Sequence, residues 1–151
     1  MRKIVISDTS CLIILSKIGA LEILNKLYDK IVTTNEIALE FGEELPSWIE
    51  ILNVKDVSKQ QLLELQIDKG ESSAIALALE NPNSKVILDD NKARKVATQL
   101  GIDFTGTLGI IIKAKLNGLI PSIKTYLEKI KETNFRISPE LELIALKEAK
   151  E

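Results

Sequence analysis

The stretch Ile4-Val5-Ile6-Ser7-Asp8-Thr9-Ser10 near the start of the chain decides the fold. Its apolar β-branched run predicts a short buried strand, and the Asp and hydroxyl residues that follow are typical N-caps of a helix. The same order recurs at Val86-Ile87-Leu88-Asp89-Asp90, where another apolar run ends at two acids and a helix follows. Short apolar strands that alternate with helices predict a parallel sheet covered by helices on both faces.

The rest of the chain continues this alternation. Further strands are predicted at 31–33, 49–54 and 102–105, and helices at 10–17, 20–28, 35–41, 58–67, 71–80, 92–100 and 108–117. Ser58 is the predicted cap of its helix, residues 68–70 are predicted to form a turn, and Pro121 and Pro139 are predicted to open the last two helices. The sequence contains no internal repeat, low-complexity tract or linker, so residues 1–151 are predicted to form one domain.

Composition narrows the possible chemistry. The 151 residues are 45% hydrophobic but only 4% aromatic, which predicts a core of Ile, Leu, Val and Ala. A net charge of -2 argues against a general nucleic-acid coat, although a metal ion and local Lys or Arg could still bring nucleic acid to an acidic site. The absence of His excludes a Ser-His-Asp triad, a His general base and His-ligated zinc. Catalysis would need carboxylates, hydroxyls, Lys or a hard metal ion.

The expected location is the cytoplasm. No signal peptide is visible, and no apolar run approaches the ~20 residues that cross a bilayer. The lone cysteine, Cys11, excludes an internal disulfide and a Cys-rich metal site, and it fits a reducing compartment.

Acids follow two of the predicted strands. In a parallel sheet, sites form beyond the carboxyl ends of the strands, so Asp8 and the pair Asp89-Asp90 should face the same edge. Two charges ~4 Å apart repel by about 4 kcal/mol at an effective dielectric near 20, so such a group needs a cation, a basic partner or a shared proton. This pattern favours a metal site. The alternatives are that Asp8 is only a helix cap and that Lys92 and Arg94 neutralise the pair.

Other candidate residues are weaker alone. Glu36 and Glu40 are spaced to share a helix face, and Glu71 lies at a helix start, where a carboxylate also stabilises the helix dipole. Each could simply be a surface acid. Lys92, Arg94 and Lys95 would lie beside the acids and could contact a phosphodiester, or be an exposed helix face. Thr105 and Thr107 flank a helix N-terminus that suits an anion or a metal-bound water, or is an ordinary cap.

Together these motifs resemble PIN domains. The resemblance rests on the first-strand Asp8, an acid on the third helix, Gly-Glu-x-x-Ala at 70–74, Leu-Asp-Asp-x-x-Ala-Arg at 88–94 and Thr-Gly-Thr-Leu-Gly at 105–109. It runs from about Ile4 to Ile137 and is closest to an uncharacterised PIN-like branch. Two features depart from the common pattern: Glu71 stands where many relatives have Asp, and Asn91-Lys92-Ala93 replaces Lys-Asp-Phe.

The resemblance implies a three-layer α/β/α fold with a short, mainly parallel central sheet and an acidic pocket for Mg²⁺ or Mn²⁺. It also implies a ribonuclease that hydrolyses single-stranded RNA, often as the toxin partner of a small antitoxin protein. The implied catalytic residues are Asp8, Glu40 (with Glu36 as the alternative), Glu71 and Asp90, and the implied metal residues are Asp8, Glu71, Asp89 and Asp90. As substrate contacts beside these acids we expect Ser10, Lys92, Arg94, Lys95, Thr105 and Thr107. With hard-cation preferences, we expect Asp8 and Asp90 to ligate directly and the other acids to hold metal waters.

Two other functions remain open. One is a PIN-like module that binds RNA or protein without cleavage. The other is a phosphoryl-acceptor or phosphatase domain, which usually has a second Asp where this chain has Ser10 and a Lys after a later strand, which this chain lacks. We also expect a homodimer, with apolar contacts from the helix that begins at Ala20 and from the segment 139–149, which contains Leu141, Ile144 and Ala145.

Overall fold

The structure is a computed structural model that describes residues 3–151. Its centre is a parallel five-stranded sheet. The strands are β1 (Ile4–Ser7), β2 (Lys30–Thr33), β3 (Ile49–Ile51), β4 (Ser84–Ile87) and β5 (Phe104–Thr105), in the spatial order β3-β2-β1-β4-β5. The predicted parallel sheet is therefore confirmed.

Helices connect the strands and flank the sheet. They are α1 (Thr9–Lys17), α2 (Glu22–Leu27), α3 (Asn35–Phe41), α4 (Val57–Leu63), α5 (Lys69–Glu80), α6 (Asn91–Gln99), α7 (Thr107–Leu116), α8 (Lys124–Lys131) and α9 (Pro139–Glu148). Helix α5 packs on α3 and α4, and α7 packs on α2 and α9. This arrangement confirms the predicted three-layer α/β/α fold. No helix within residues 3–151 is long and apolar enough to cross a membrane.

The strands are short and largely buried. Val5, Ile6, Val32, Val86 and Ile87 are fully buried at the centre of the sheet. Each buried Val or Ile side chain contributes about 1.5–3 kcal/mol relative to an exposed one, so these runs hold the sheet at the centre of the fold. The largest fully buried side chains in residues 3–151 are all Ile or Leu, as the composition predicts.

The register of the sheet decides where the polar ends of the strands lie. Ile6 of β1 pairs with Val32 of β2 and Val86 of β4, and Ile87 of β4 pairs with Thr105 of β5. Because these strands run in the same direction, the segments that follow them emerge at one edge. We call this the carboxyl edge of the sheet.

Several predicted boundaries were wrong. Asp56, and not Ser58, caps α4, because the Asp56 carboxylate accepts a hydrogen bond from the Lys59 N–H at 3.3 Å. Helix α5 begins at Lys69 with Asp68 as its cap, so Gly70 lies inside the helix and not in a turn. Helix α4 ends at Leu63 and β3 at Ile51, both earlier than predicted.

Pro121 does not open α8, which begins at Lys124. The Ile123 N–H donates to the Glu151 carboxylate at 2.7 Å, and the Lys124 N–H donates to the Ser122 hydroxyl at 3.1 Å. These side chains satisfy donors that would otherwise need a longer helix, so the segment around Pro121 forms a bend. In contrast, Pro139 opens α9 as predicted.

Candidate functional site

Carboxylates from several distant segments meet near the carboxyl edge. Asp8 follows β1, Asp89 and Asp90 follow β4, Glu40 lies on α3, and Asp68 and Glu71 lie at the start of α5. We call these six residues the acidic cluster. Their charges act on one another's protonation: Asp8 is affected by Asp89 and Glu71, Glu71 by Asp68 and Asp90, and Glu40 by Asp68. The structure thus brings the sequence-predicted acids into one electrostatic neighbourhood.

Asp8 is the most buried member of the cluster. It is 4% exposed, and one of its oxygens accepts a hydrogen bond from the Cys11 N–H at 2.9 Å, which caps α1. Its other oxygen accepts from the Asp89 N–H at 3.2 Å. Burial raises the pKa of Asp8 well above its usual range, and the charges of Asp89 and Glu71 raise it further. Asp8 therefore ties the first strand to the fourth at a position where negative charge is unfavourable.

Asp89 is turned toward the start of α7. Its carboxylate accepts hydrogen bonds from the Thr107 N–H at 2.9 Å and from the Thr107 hydroxyl at 2.5 Å. A Cβ at Gly106 would lie 2.9 Å from an Asp89 oxygen and would also collide with the Arg94 guanidinium. Glycine is therefore needed at 106 for this close approach. Thr107, predicted to contact substrate or a metal water, instead holds Asp89.

Asp90 is exposed and caps α6, because its carboxylate accepts from the Ala93 N–H at 2.9 Å. The basic residues that follow it are divided. Arg94 turns inward: its Nε donates to the Leu88 carbonyl at 2.6 Å, and its guanidinium lies 5.4 Å from the centre of the Phe104 ring. Lys92 and Lys95 stay exposed on α6. Two of the three predicted phosphate contacts are therefore available at the surface, and Arg94 has a structural partner.

Glu71 is half-buried at the start of α5. Its N–H donates to the Asp68 carboxylate at 2.8 Å. Burial, followed by the charges of Asp68 and Asp90, raises the pKa of Glu71 to about 7. The sequence motifs do not single out Asp68, because the Asp-Lys-Gly run at 68–70 predicts a turn. The Asp-x-x-Glu spacing resembles a capping box, and this signal could have identified it.

The two glutamates of α3 have different partners. Glu40 accepts a hydrogen bond from the Thr9 hydroxyl at 3.2 Å, directly beside Asp8. Glu36 accepts instead from the Gln60 amide on α4 at 2.5 Å. A Cβ at Gly70 would collide with the Glu40 carboxylate, so a glycine on α5 makes room for this residue. The structure brings Glu40, and not Glu36, to the acidic cluster. Burial raises the pKa of Glu40 as well.

The remaining candidates lie around this group. Ser10 is exposed and lines a groove together with Asp89 and Asp90. Thr105 is half-buried at the end of β5, close enough to Gly109 that a Cβ there would collide with its hydroxyl. Cys11 is fully buried, and burial raises the pKa of its thiol well above its usual range, so it remains a neutral core residue.

The cluster has negative charge without a basic partner. In the part of the chain that the structure describes, none of the six acids forms an ion pair with Lys or Arg. Within residues 3–151 there is also no group of three acidic or Cys side chains that converge closely enough to hold a metal ion. The reason is local: four of the aspartates are turned onto backbone N–H groups at helix starts.

The donor atoms nevertheless suit a hard divalent cation. All are carboxylate oxygens, and a carboxylate has about four lone-pair sites, so one N–H contact does not exhaust it. Mg²⁺ usually takes one or two protein carboxylates and keeps several waters, and therefore does not need three converging side chains. The ligand chemistry of the cluster is therefore compatible with a hard divalent cation that keeps most of its waters.

The comparison with known families agrees with this geometry. The model of a family described as DUF3368, a PIN domain, matches residues 4–151, nearly the whole chain. No curated protein matches the sequence. PIN domains are in general nucleases and typically use divalent metals, and the resemblance expected from the sequence motifs is confirmed. The chain therefore belongs to the PIN-domain family described as DUF3368.

Proposed function

We propose that this protein is a Mg²⁺- or Mn²⁺-dependent endoribonuclease that hydrolyses phosphodiester bonds of single-stranded RNA. The observation that carries the proposal is the environment of Asp8. Asp8 is 4% exposed, and the charges of Asp89 and Glu71 add to burial in raising its pKa. Perturbed carboxylates that gather at a sheet edge are typical of functional sites, and a divalent cation would relieve their repulsion.

The acids of the cluster would have different roles toward the ion. Asp8 and Asp90 would hold the ion directly, because they come from neighbouring strand ends and Asp90 is open to solvent. Glu40 and Glu71 would accept hydrogen bonds from its hydration shell. Asp89, fixed by Thr107, would add negative charge beside Asp8 and orient it through the Asp89 N–H. A bound divalent ion would polarise the phosphodiester and neutralise developing charge.

Asp8→Asn is the direct test. Asparagine keeps an oxygen that can cap α1, but it removes the charge and turns an NH₂ donor toward the Asp89 N–H. We therefore expect cleavage of a mixed-sequence single-stranded RNA with Mn²⁺ to fall roughly 100-fold or more. Asp29→Asn is the matched control, since Asp29 is exposed and lies immediately before β2, at the opposite edge of the sheet. Circular dichroism would verify that both variants fold. Equal cleavage by the wild type and Asp8→Asn would contradict the proposal.

A specific observation favours a second candidate function. Asp8, Asp68 and Asp90 each cap a helix, so all three have a structural purpose without any ion. A PIN-domain module that binds RNA or protein without cleavage would keep these caps. RNA binding by the wild type, with intact RNA after incubation with Mn²⁺, would support the module and reject the nuclease.

The proposed biological role is the toxin of a toxin–antitoxin pair, held inactive by a small antitoxin protein. Growth arrest on expression of the wild type, but not of Asp8→Asn, would support it.

We also propose a homodimer through α9. Leu143 and Ile144 are 68% and 53% exposed there, whereas Ala145 is buried in the core and cannot contribute to an interface. Light scattering that gives a monomer mass at all concentrations would contradict the dimer.

A further inference from the structure

A groove of about 520 Å³ opens directly beside the acidic cluster. Helix α1 lines it with Ser10 and Lys17, and Asp89 and Asp90 line it as well. The connection between α8 and α9, residues 133–136, supplies the other polar and aromatic lining residues. Motifs in the sequence did not point to this connection, because it is far from the acids along the chain.

The groove is lined by both acidic and basic side chains. Lys17 and Arg136 line it together with the two acids, and both basic residues are exposed. Neither forms an ion pair within residues 3–151, in contrast to Lys131, which pairs with Glu142 at 2.7 Å. Basic side chains beside a phosphodiester-cleaving site are suited to the phosphates that flank the scissile bond.

An aromatic residue also lines this groove. Phe135 is partly buried, packs against the hydrophobic core and also lines the groove. Its backbone is held in place, because its N–H donates to the Thr133 hydroxyl at 3.1 Å and that hydroxyl donates to the Ile130 carbonyl at 2.6 Å. A fixed aromatic ring at a groove surface can stack on a nucleobase without sequence preference.

The groove continues beyond the acids. Two neighbouring depressions, of about 720 and 440 Å³, share Thr133 and Asn134 with it. Lys129 lines the second of these depressions together with Lys17. Glu132 lines it as well, so beyond Lys17 this depression adds no net charge. The three depressions together extend the surface that leads away from the acids.

We infer that this groove is the binding track for single-stranded RNA next to the cleavage site. Lys17 and Arg136 contact phosphates, and Phe135 stacks on a base. The inference rests on the proposed function and names the substrate path for the same site. It also replaces part of the earlier expectation for α6, because the Arg94 side chain is bound to the Leu88 carbonyl.

The charge test uses binding to a fluorescently labelled mixed-sequence single-stranded RNA, measured by anisotropy without divalent ions. The double variant Lys17→Gln/Arg136→Gln should raise Kd roughly tenfold at low salt, and it should reduce the slope of log Kd against log salt by about 1.4, or ~0.7 for each lost phosphate contact. The control is Lys26→Gln/Lys124→Gln, which removes two exposed charges on α2 and α8 outside the groove. Its Kd and slope should match the wild type.

The stacking test is Phe135→Leu, which keeps an apolar side chain against the core. Loss of one stacked base should raise Kd about fivefold or more and leave the salt slope unchanged. An unchanged Kd for Phe135→Leu would show that Phe135 does not stack on a base of the bound RNA.

Cleavage separates this inference from the proposed function. If the wild type cleaves RNA with Mn²⁺, the groove variants should raise KM with a smaller change in kcat. If the charge variant cleaves RNA with the KM and Kd of the wild type, the binding track is wrong and the nuclease proposal stands. Weakened binding in the variants without cleavage by any protein supports the track and rejects the nuclease. No RNA binding by the wild type overturns both.

Discussion

Aspartates at the two edges of the sheet have pKa values shifted in opposite directions. At the edge where β5 begins, Asp103 accepts a hydrogen bond from Lys3 at 2.9 Å, and this contact lowers the pKa of Asp103. At the carboxyl edge, burial and neighbouring acids raise the pKa of Asp8. A count of acids would not separate the two regions. The difference teaches that the candidate site is marked by acids that are buried beside other acids, and not by acids as such.

The largest expected effect tests this comparison through activity. Asp90→Asn removes charge from the carboxyl edge and should lower RNA cleavage roughly 100-fold, because a ligand is lost. Asp103→Asn, at the opposite edge, should leave kcat/KM unchanged. The measurement is initial cleavage rate with Mn²⁺ for both variants. Similar losses in both would remove the distinction between the edges.

Divalent ions should raise the stability of the folded protein, and they should do so by binding at the carboxyl edge. At a free Mn²⁺ concentration 100 times Kd, binding to the folded state adds about 2.7 kcal/mol, which should appear as a higher Tm. The increase should be much smaller in Asp8→Asn and unchanged in Asp103→Asn. Thermal unfolding followed by circular dichroism measures this without any activity. The absence of a shift in the wild type would contradict a metal site.

Glycine at 106 sharpens the comparison within the carboxyl edge. Gly106→Ala adds a Cβ that collides with Asp89 and Arg94, so it should destabilise the fold by about 1–3 kcal/mol and also lower cleavage. Gly19→Ala is the control, because Gly19 has φ +70 with open space around its Cβ position. It should cost about 1–2 kcal/mol in backbone strain and leave kcat/KM unchanged. Urea denaturation and cleavage rates separate these outcomes.

The edges should also respond to pH with opposite signs. Glu71 has a pKa raised from 4.5 to about 7, so the folded state holds its proton more tightly and, without metal, stability should fall as pH rises through that window. Glu71→Gln should flatten this slope. Asp103 has a lowered pKa, so its contribution should be present above pH 3.8 and be lost as pH falls. Chemical denaturation in EDTA, from well below pH 3.8 up to about pH 8, measures both slopes.

The smallest expected change in stability comes from the Lys3–Asp103 ion pair at the edge opposite the acidic cluster. Lys3 and Asp103 form an ion pair at 2.9 Å with both side chains about half exposed, and exposed pairs contribute roughly 0–1 kcal/mol. Lys3→Gln should therefore change the free energy of unfolding by less than about 1 kcal/mol, and less still at high salt. A loss of several kcal/mol would mean that this edge is not merely a solvated surface.

Much of the fold was predictable because its signals are local. The apolar runs at 4–6 and 86–88 led to the central parallel pair, and Asn35 and Gly42 bounded α3 as expected. Helix starts were less predictable where several capping residues compete. Asp56 was chosen over Ser58, and Asp68 over a turn, by which side chain reaches an unpaired N–H. Such choices depend on how the helix is held by its neighbours.

The candidate site was predictable to a similar depth. Asp8, Asp89 and Asp90 could be placed at one edge because parallel strands end together. Spacing alone left Glu36 and Glu40 equivalent, and the packing of α3 against α5 and α1 separated them. Arg94 looked like a phosphate contact, and the inward path of its side chain became visible only with the Leu88 carbonyl in place.

By itself, the sequence determined a parallel α/β fold with acids at strand ends, because apolar periodicity and strand direction are encoded locally. Tertiary structure alone decided which acids share one electrostatic field and which basic residues face them. Lys17 and Arg136 are brought to the same groove across nearly the whole chain, and no local pattern contains that distance. Charges act through space, so their partners are chosen only when the chain has packed.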